Sequence, residues 1–259
     1  MTVLISGASG TIGRMLIREL EGECDLRLLS RKEIPGDPRW WQVDVTDFQS
    51  VEKACQGVDT VIHLAIATGQ EGDYEDDIFN RERLDTNVKG TYNVFEAARR
   101  GGVGRFIYTS SLTVVWGYPA PTYVDGDAPA KPVGTYALTK HLGEQIACYY
   151  ASEFEMSVIC LRIPKPIDIE DPQSKAEPIL PQWIAFPDLI QAYRLSIEVQ
   201  DVSFEVITVV GESSVRRWDL GRAESILGYQ PTFNLEEAGY TLRVEPSAYD
   251  RDGVVWGKN

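Results

Sequence analysis

A phenol at Tyr136 and an ammonium at Lys140 stand four positions apart, about one helical turn. A helix through Tyr136-Ala137-Leu138-Thr139-Lys140 therefore presents both on one face. Such a pair can do acid–base chemistry. A phenol titrates near 10 and exchanges protons poorly at neutral pH until a nearby cation stabilises its phenolate; a downward shift of roughly 3 units takes about 4 kcal/mol. Lys140 is placed to supply part of that. The same spacing also fits a packed Tyr beside a solvated Lys, so the surrounding segments decide.

Ser111 is the third polar group. It lies 136 − 111 = 25 residues before Tyr136, at the end of the apolar run that closes with Tyr108-Thr109-Ser110-Ser111; Ser110 is its rival. Two hydroxyls converging on one oxygen would stabilise alkoxide character developing there.

A second constellation opens the chain. Thr2-Val3-Leu4-Ile5-Ser6 is short, apolar and β-branched, and Gly7, Gly10 and Gly13 follow at once, ahead of an amphipathic segment. This predicts strand, tight turn and helix. Gly7 turns the chain, Gly10 lets the backbone approach a pyrophosphate, and Gly13 lets helix and strand pack, with the helix N-terminus facing the anion.

Together these segments resemble the extended short-chain dehydrogenase/reductase family, which includes the NAD-dependent sugar epimerases and dehydratases. The resemblance also rests on Val43-Asp44-Val45-Thr46-Asp47, His63-Leu64-Ala65 and Asn87-Val88-Lys89-Gly90-Thr91. It implies that Ser111, Tyr136 and Lys140 are catalytic. It further implies that the cofactor lies on Gly7, Ser9, Gly10, Thr11, Ile12, Gly13, Ser30, Arg31, Asp44, Val45, Leu64, Ala65, Asn87, Thr109, Tyr136, Lys140 and Ile163. In this reading Asp44 contacts the adenine, Asn87 fixes backbone geometry near the cofactor, and Lys140 holds the ribose and lowers the Tyr136 pKa. Ser111, Thr113, Arg162 and Lys165 are the expected substrate residues. Arg162 and Lys165 are the candidates for an anionic group, with a structural alternative for Arg162 at its strand end.

Cofactor preference is read at Leu28-Leu29-Ser30-Arg31-Lys32, which carries no acid for a ribose 2′-hydroxyl and two cations suited to a 2′-phosphate. NADP(H) is the expected cofactor; NAD(H) is accommodated if Glu33 or Asp37 reaches the ribose.

The elements that must position these groups alternate. Strands are expected at 2–6, 25–30, 40–43, 58–64, 104–110 and 156–162, and helices near 11–21, 47–55, 80–100 and 134–152. Alternation of this kind predicts an α/β fold, a doubly wound parallel sheet of Rossmann type over residues 1–162. A small C-terminal part follows at 163–259, with many prolines, a helix near 187–199, a strand at 204–210 and a helix near 219–227; the resemblance implies that it covers the substrate. Helices 80–100 and 134–152 carry apolar residues beyond one stripe, and in the family they pair two copies into a homodimer.

A chain of 259 residues that is 43% hydrophobic can bury a full core. A net charge of −14 excludes a surface built to track nucleic-acid phosphates. No run of about 18 apolar residues predicts a membrane span. Four cysteines and two histidines show no disulfide or metal spacing, so no metal is expected and a cytoplasmic location is. His63, His141 and the Trp40-Trp41 pair are read as packing.

The reaction class narrows by departures from the family. Ser111-Leu112-Thr113 lacks the Asp-Glu that the dehydratases carry after their catalytic Thr, and the short C-terminal part leaves little room for a whole nucleotide-sugar. Arg217-Trp218-Asp219-Leu220-Gly221-Arg222-Ala223 through Leu227-Gly228-Tyr229 is similar to the uronate dehydrogenases. Leu112 stands where those enzymes carry Asn, and Lys175, Ala176, Glu177 and Pro178 stand where their carboxylate-binding Arg is expected. The reading is an oxidoreductase that passes a hydride between a nicotinamide cofactor and a small hydroxy or carbonyl compound, sugar-derived or not. The alternatives are an epimerase that retains its nicotinamide and an idle nucleotide-sensing protein on the same fold.

Overall fold

A computed structural model describes residues 1–68 and 73–247. Seven strands form one parallel sheet: β1 (Thr2–Ser6), β2 (Asp25–Ser30), β3 (Trp40–Gln42), β4 (Thr60–His63), β5 (Arg105–Ser111), β6 (Ser157–Ile163) and, after a two-stranded ribbon, β9 (Phe204–Thr208). The ribbon pairs β7 (Pro166–Ile167) with β8 (Ile184–Ala185). The spatial order β3-β2-β1-β4-β5-β6-β9 starts at the centre, winds outward, then returns to wind the other way. The order reverses between β1 and β4, so a crevice opens there at the carboxyl ends of the strands.

Alternation along each strand feeds two cores. Val3 and Ile5 face one side with Leu16 and Leu20 of α1 (Thr11–Leu20) and with Leu189, Ile190 and Tyr193 of α6 (Phe186–Glu198). Leu4 faces the other side, with Val51 and Ala54 of α2 (Phe48–Ala54), Val94 and Phe95 of α4 (Gly90–Gly101), and Ala147 and Tyr150 of α5 (Gly134–Phe154). Helices thus cover both faces, as the alternation predicts.

Three differences from the sequence expectation matter. The helix expected at 80–100 is two helices, α3 (Asp77–Arg83) and α4, joined by a wide π-turn at Leu84–Lys89. The helix expected at 219–227 shortens to a π-turn at Ala223–Leu227, ended by Gly228 in the left-handed region. The part after residue 163 is not separate: α6 and β9 complete the main sheet and its core, while Ile167, Ile179, Leu235 and Tyr240 form a small cluster of their own. Its last twelve residues lie outside the described ones.

Helix α5 crosses close to β5 because Gly143 faces that strand. A Cβ there would stand 2.0 Å from the Tyr108 hydroxyl, so only a glycine lets the helix bring Tyr136 and Lys140 against the strand end.

Candidate active site

Strand β5 ends in Thr109, Ser110 and Ser111, and the first turns of α5 carry Tyr136 and Lys140; all five line one cavity of about 630 Å³. Thr113 donates to Ser111 Oγ from its amide at 3.2 Å and from its hydroxyl at 2.9 Å. With both acceptor positions of Ser111 used, its one proton is left over, and its hydroxyl favours the Tyr136 phenolate. Burial drives the Tyr136 pKa above the ordinary phenol value; the Ser111 hydroxyl and the Arg83 charge pull against it. Thr113 itself is buried behind Ser111 and is not in the cavity wall.

Lys140 is 3% exposed and its Nζ donates to the Thr109 carbonyl at 2.6 Å. Desolvation pulls its pKa down to about 7, opposed by the Glu144 carboxylate. Its Nζ lies 5.9 Å from the centre of the Tyr136 ring.

Glu144, one turn beyond Lys140, belongs to a buried network. It accepts from Ser110 Oγ at 2.6 Å and from Arg162 Nε and Nη2 at 2.8 Å each. The pairing holds the Glu144 carboxyl below its usual range despite burial. It also corrects the reading of Arg162 as an anion-binding residue: its guanidinium is committed to Glu144 and does not line the cavity. Lys165 does line it, with Nζ 4.4 Å from the centre of the Trp183 ring.

Asn87 sits in the π-turn. Its Oδ1 accepts from the Ala67 amide at 2.8 Å, and its Nδ2 donates to Thr139 Oγ1 at 3.0 Å, which in turn donates to the Tyr136 carbonyl. It ties the loop after β4 to the helix of Tyr136. His63 is buried beneath: Thr91 Oγ1 gives its proton to the Asn87 carbonyl, so it accepts from His63 Nε2–H, and His63 Nδ1 accepts from Ser6 Oγ at 2.5 Å. Burial brings the His63 pKa down to about 3.

The glycine turn shapes a dinucleotide bed. Gly7 has φ +73°, and a Cβ there would stand 2.8 Å from the Ala65 amide. Gly10 caps α1 with no side-chain hydrogen bond, and Gly10, Thr11, Ile12 and Gly13 line the large cavity with Leu64 and Ile163. Unpaired first-turn amides at the helix N-terminus fit a pyrophosphate. A second cavity of about 310 Å³ continues past Ser9, Ser30, Arg31, Lys32, Val45 and Ala65, and adds Arg14, which the sequence reading missed. No carboxylate among the described residues lines it. Asp44 lies exposed at its rim with Oδ1 held by Thr46, and Asp37 is paired with Arg39.

Arg83 is the charged residue of the large cavity that the sequence reading passed over. It is 2% exposed and lies between the rings of Tyr74 and Phe79, 4.1 and 4.3 Å from their centres. The signal was present: Phe79, Arg83, Asn87 and Thr91 recur every four residues, a buried stripe with one guanidinium in it.

Among the described residues no three His, Cys, Asp or Glu side chains gather as a metal site, and no helix is long and apolar enough to cross a membrane.

Comparison with known proteins gives this geometry its setting. Over 258 residues the chain is 29% identical to a uronate dehydrogenase of Pseudomonas syringae pv. tomato, covering 98% of this chain and 90% of that one. It is 28% identical to an NAD-dependent glucose-6-phosphate dehydrogenase of Haloferax volcanii, covering 94% and 97%. A uronate dehydrogenase from Agrobacterium tumefaciens solved with NAD superposes with a TM-score of 0.78 at 25% identity, over 91% of this chain and 86% of that one. The sequence profile of the NAD dependent epimerase/dehydratase family matches residues 3–186, and the chain belongs to that family.

Proposed function

We propose that the protein is a dehydrogenase that moves a hydride between a nicotinamide cofactor and one hydroxyl or carbonyl carbon of a small, sugar-derived substrate. The observation that carries this reading is the convergence of Ser111, Tyr136 and Lys140 on one cavity that the glycine turn also lines. The relatives named above support the substrate class. The cavity must also take the nicotinamide end of the cofactor, which leaves room for about one sugar ring.

The nicotinamide, when bound, supplies the hydride acceptor or donor. In oxidation Ser111 and Tyr136 hold the substrate hydroxyl between them, and Tyr136 as phenolate takes its proton. Lys140, charged, keeps the phenolate accessible and binds ribose hydroxyls. In reduction Tyr136 returns the proton to the forming alkoxide, which the Ser111 hydroxyl stabilises until then.

NADP(H) is the preferred cofactor in this reading, supported by Arg14, Arg31 and Lys32 around the second cavity and by the lack of a lining carboxylate there among the described residues. Exposed Tyr92, Leu138, Tyr149 and Phe154 on α4 and α5 support a homodimer, and four unpaired cysteines support a reducing, cytoplasmic setting.

The test is a panel of sugars, sugar acids and sugar phosphates scored for reduction of NADP+ and NAD+. Tyr136→Phe is expected to lose about 10²–10⁴-fold in turnover with cofactor affinity retained. Full turnover by Tyr136→Phe overturns the assignment. Cofactor that copurifies, with substrate isomerised and no net nicotinamide change, favours the epimerase instead.

A further inference from the structure

We propose that Arg83 is the anion-recognising residue of this cavity: it holds a carboxylate or phosphate on the substrate while Ser111 and Tyr136 hold the reacting oxygen. The proposal rests on the dehydrogenase reading above for the identity of the reacting end, and on Arg83 alone for the other.

The guanidinium is nearly inaccessible, yet none of the ion pairs among the described residues includes it. Its Nη1 donates to the Tyr74 carbonyl and to Asn80 Oδ1, both at 2.7 Å. Those are neutral partners. The Glu75 carboxylate attracts its charge from a distance but makes no ion pair with it, and is itself engaged by the Thr135 amide at 2.9 Å, the Thr135 hydroxyl at 2.6 Å and Asn80 Nδ2 at 3.1 Å. A buried cation without a direct counter-ion is costly. The two flanking rings offset part of that cost, and they also fix the plane of the fork.

What the fork presents is specific. All protein hydrogen bonds of the guanidinium among the described residues come from Nη1, so Nε and Nη2 keep their donors for a ligand. Two parallel N–H groups match a carboxylate or phosphate in a bidentate contact. Arg83 lines the same cavity as Ser111 and Tyr136, whose wall holds no Asp or Glu among the described residues, and Lys165 adds a second cation. Desolvation already weighs against the charged form of Arg83, a burden that a bound anion relieves. This placement is on α3, away from the region after β6 where the sequence reading looked for such a residue.

The experiment measures binding rather than turnover. Wild type, Arg83→Met and Arg83→Lys, each loaded with NADPH, are titrated calorimetrically with D-glucuronate, glucose 6-phosphate and D-glucose. One anion or both is expected to bind wild type about 10–100-fold more tightly than glucose, the range of a charge-assisted pair. A preference for glucuronate identifies a carboxylate, and one for glucose 6-phosphate a phosphate. Arg83→Met is expected to bring the anions within about threefold of glucose, and Arg83→Lys to recover only part of the difference, because an ammonium lacks the fork. A merely structural role would weaken all three ligands alike. If Arg83→Met does not fold, Arg83→Lys and the wild-type comparison decide. No measurable anion binding, equal binding of glucose, or an undiminished anion preference in Arg83→Met or Arg83→Lys each overturns the proposal. Failure of the dehydrogenase reading would show instead as absent hydride transfer with anion binding intact.

Discussion

Glu144 of α5 and Arg162 of β6 meet in a buried two-point grip, Oε1 to Nε and Oε2 to Nη2, each 2.8 Å, with Ser110 completing the carboxylate. The pair joins the helix of Lys140 to the strand beside Ser111. Breaking it on one side strands a buried charge, so Glu144→Leu or Arg162→Met alone is expected to cost about 3–5 kcal/mol in urea unfolding. The double variant is expected to be more stable than either single one, because no lone charge remains. Equal losses that simply add in the double variant would refute the coupling.

The cations around the smaller cavity set a second expectation. Arg31, whose Nη2 donates to Thr68 Oγ1 at 3.1 Å, lines it with Arg14 and Lys32, the three cations that the proposed NADP(H) preference assigns to a 2′-phosphate. Arg31→Ala is expected to weaken NADPH binding by about 10–100-fold and NADH binding by less than about threefold, read by fluorescence titration. Tighter binding of NADH than NADPH by the unaltered protein would discard the NADP preference.

Stability should respond to pH in two separate windows. His63 falls from 6.5 unfolded to about 3 folded, so between these values the unfolded chain binds the extra proton and stability drops as pH falls. At pH 5 the loss is about 2 kcal/mol. Carboxylates such as Glu96, brought down to about 2 from 4.5 by Arg99 and Arg100, act between those two values and so overlap only the lower part of the His63 window. Lys140 falls from 10.5 to about 7, so its charged form costs stability that returns as pH rises from 7 toward 10.5. Unfolding midpoints measured from pH 5 to 9 should therefore rise in both limbs. His63→Gln should flatten the acid limb, and an unchanged slope there would contradict the buried neutral histidine.

Gly7 and Gly36 separate two reasons for a glycine. Both have positive φ, +73° and +91°, but a Cβ on Gly7 would press on the Ala65 amide at 2.8 Å while one on Gly36 meets nothing within 4 Å. Gly36→Ala is expected to cost about 1 kcal/mol from backbone strain alone. Gly7→Ala should cost more, about 1–3 kcal/mol, and should also reduce cofactor affinity, since it displaces the bed that Ala65 lines. Equal costs with unchanged cofactor binding would count against the close approach.

The sheet was legible because its signals are local and strong. Val3, Ile5 and their counterparts alternate between two helix-covered faces, and glycines mark the turn after β1. The positions of Ser111, Tyr136 and Lys140 were legible for the same reason, each fixed by a strand end or a helical turn. What escaped depends on distant parts of the chain. Arg162 looks free at a strand end until α5 brings Glu144 beside it, 18 residues away in sequence. Arg83 looks like a surface residue of one long helix until Tyr74 and Phe79 close over it. The π-turn at Leu84–Lys89 has no residue signature of its own, because the four-residue stripe runs through it unbroken.

That wide turn has a consequence for how the helix tolerates change. It stores one extra residue between Arg83, which faces the cavity, and Thr91, which is locked to His63 under the sheet. Because the turn absorbs that residue locally, Phe79, Arg83, Asn87 and Thr91 keep to one buried face. Losing a residue inside the turn would close it to ordinary helix and leave that face aligned, whereas losing one elsewhere between Arg83 and Thr91 would turn Arg83 about 100° away from the cavity. The turn is therefore slack in an otherwise rigid rod, and the aim of Arg83 depends on where that slack is held.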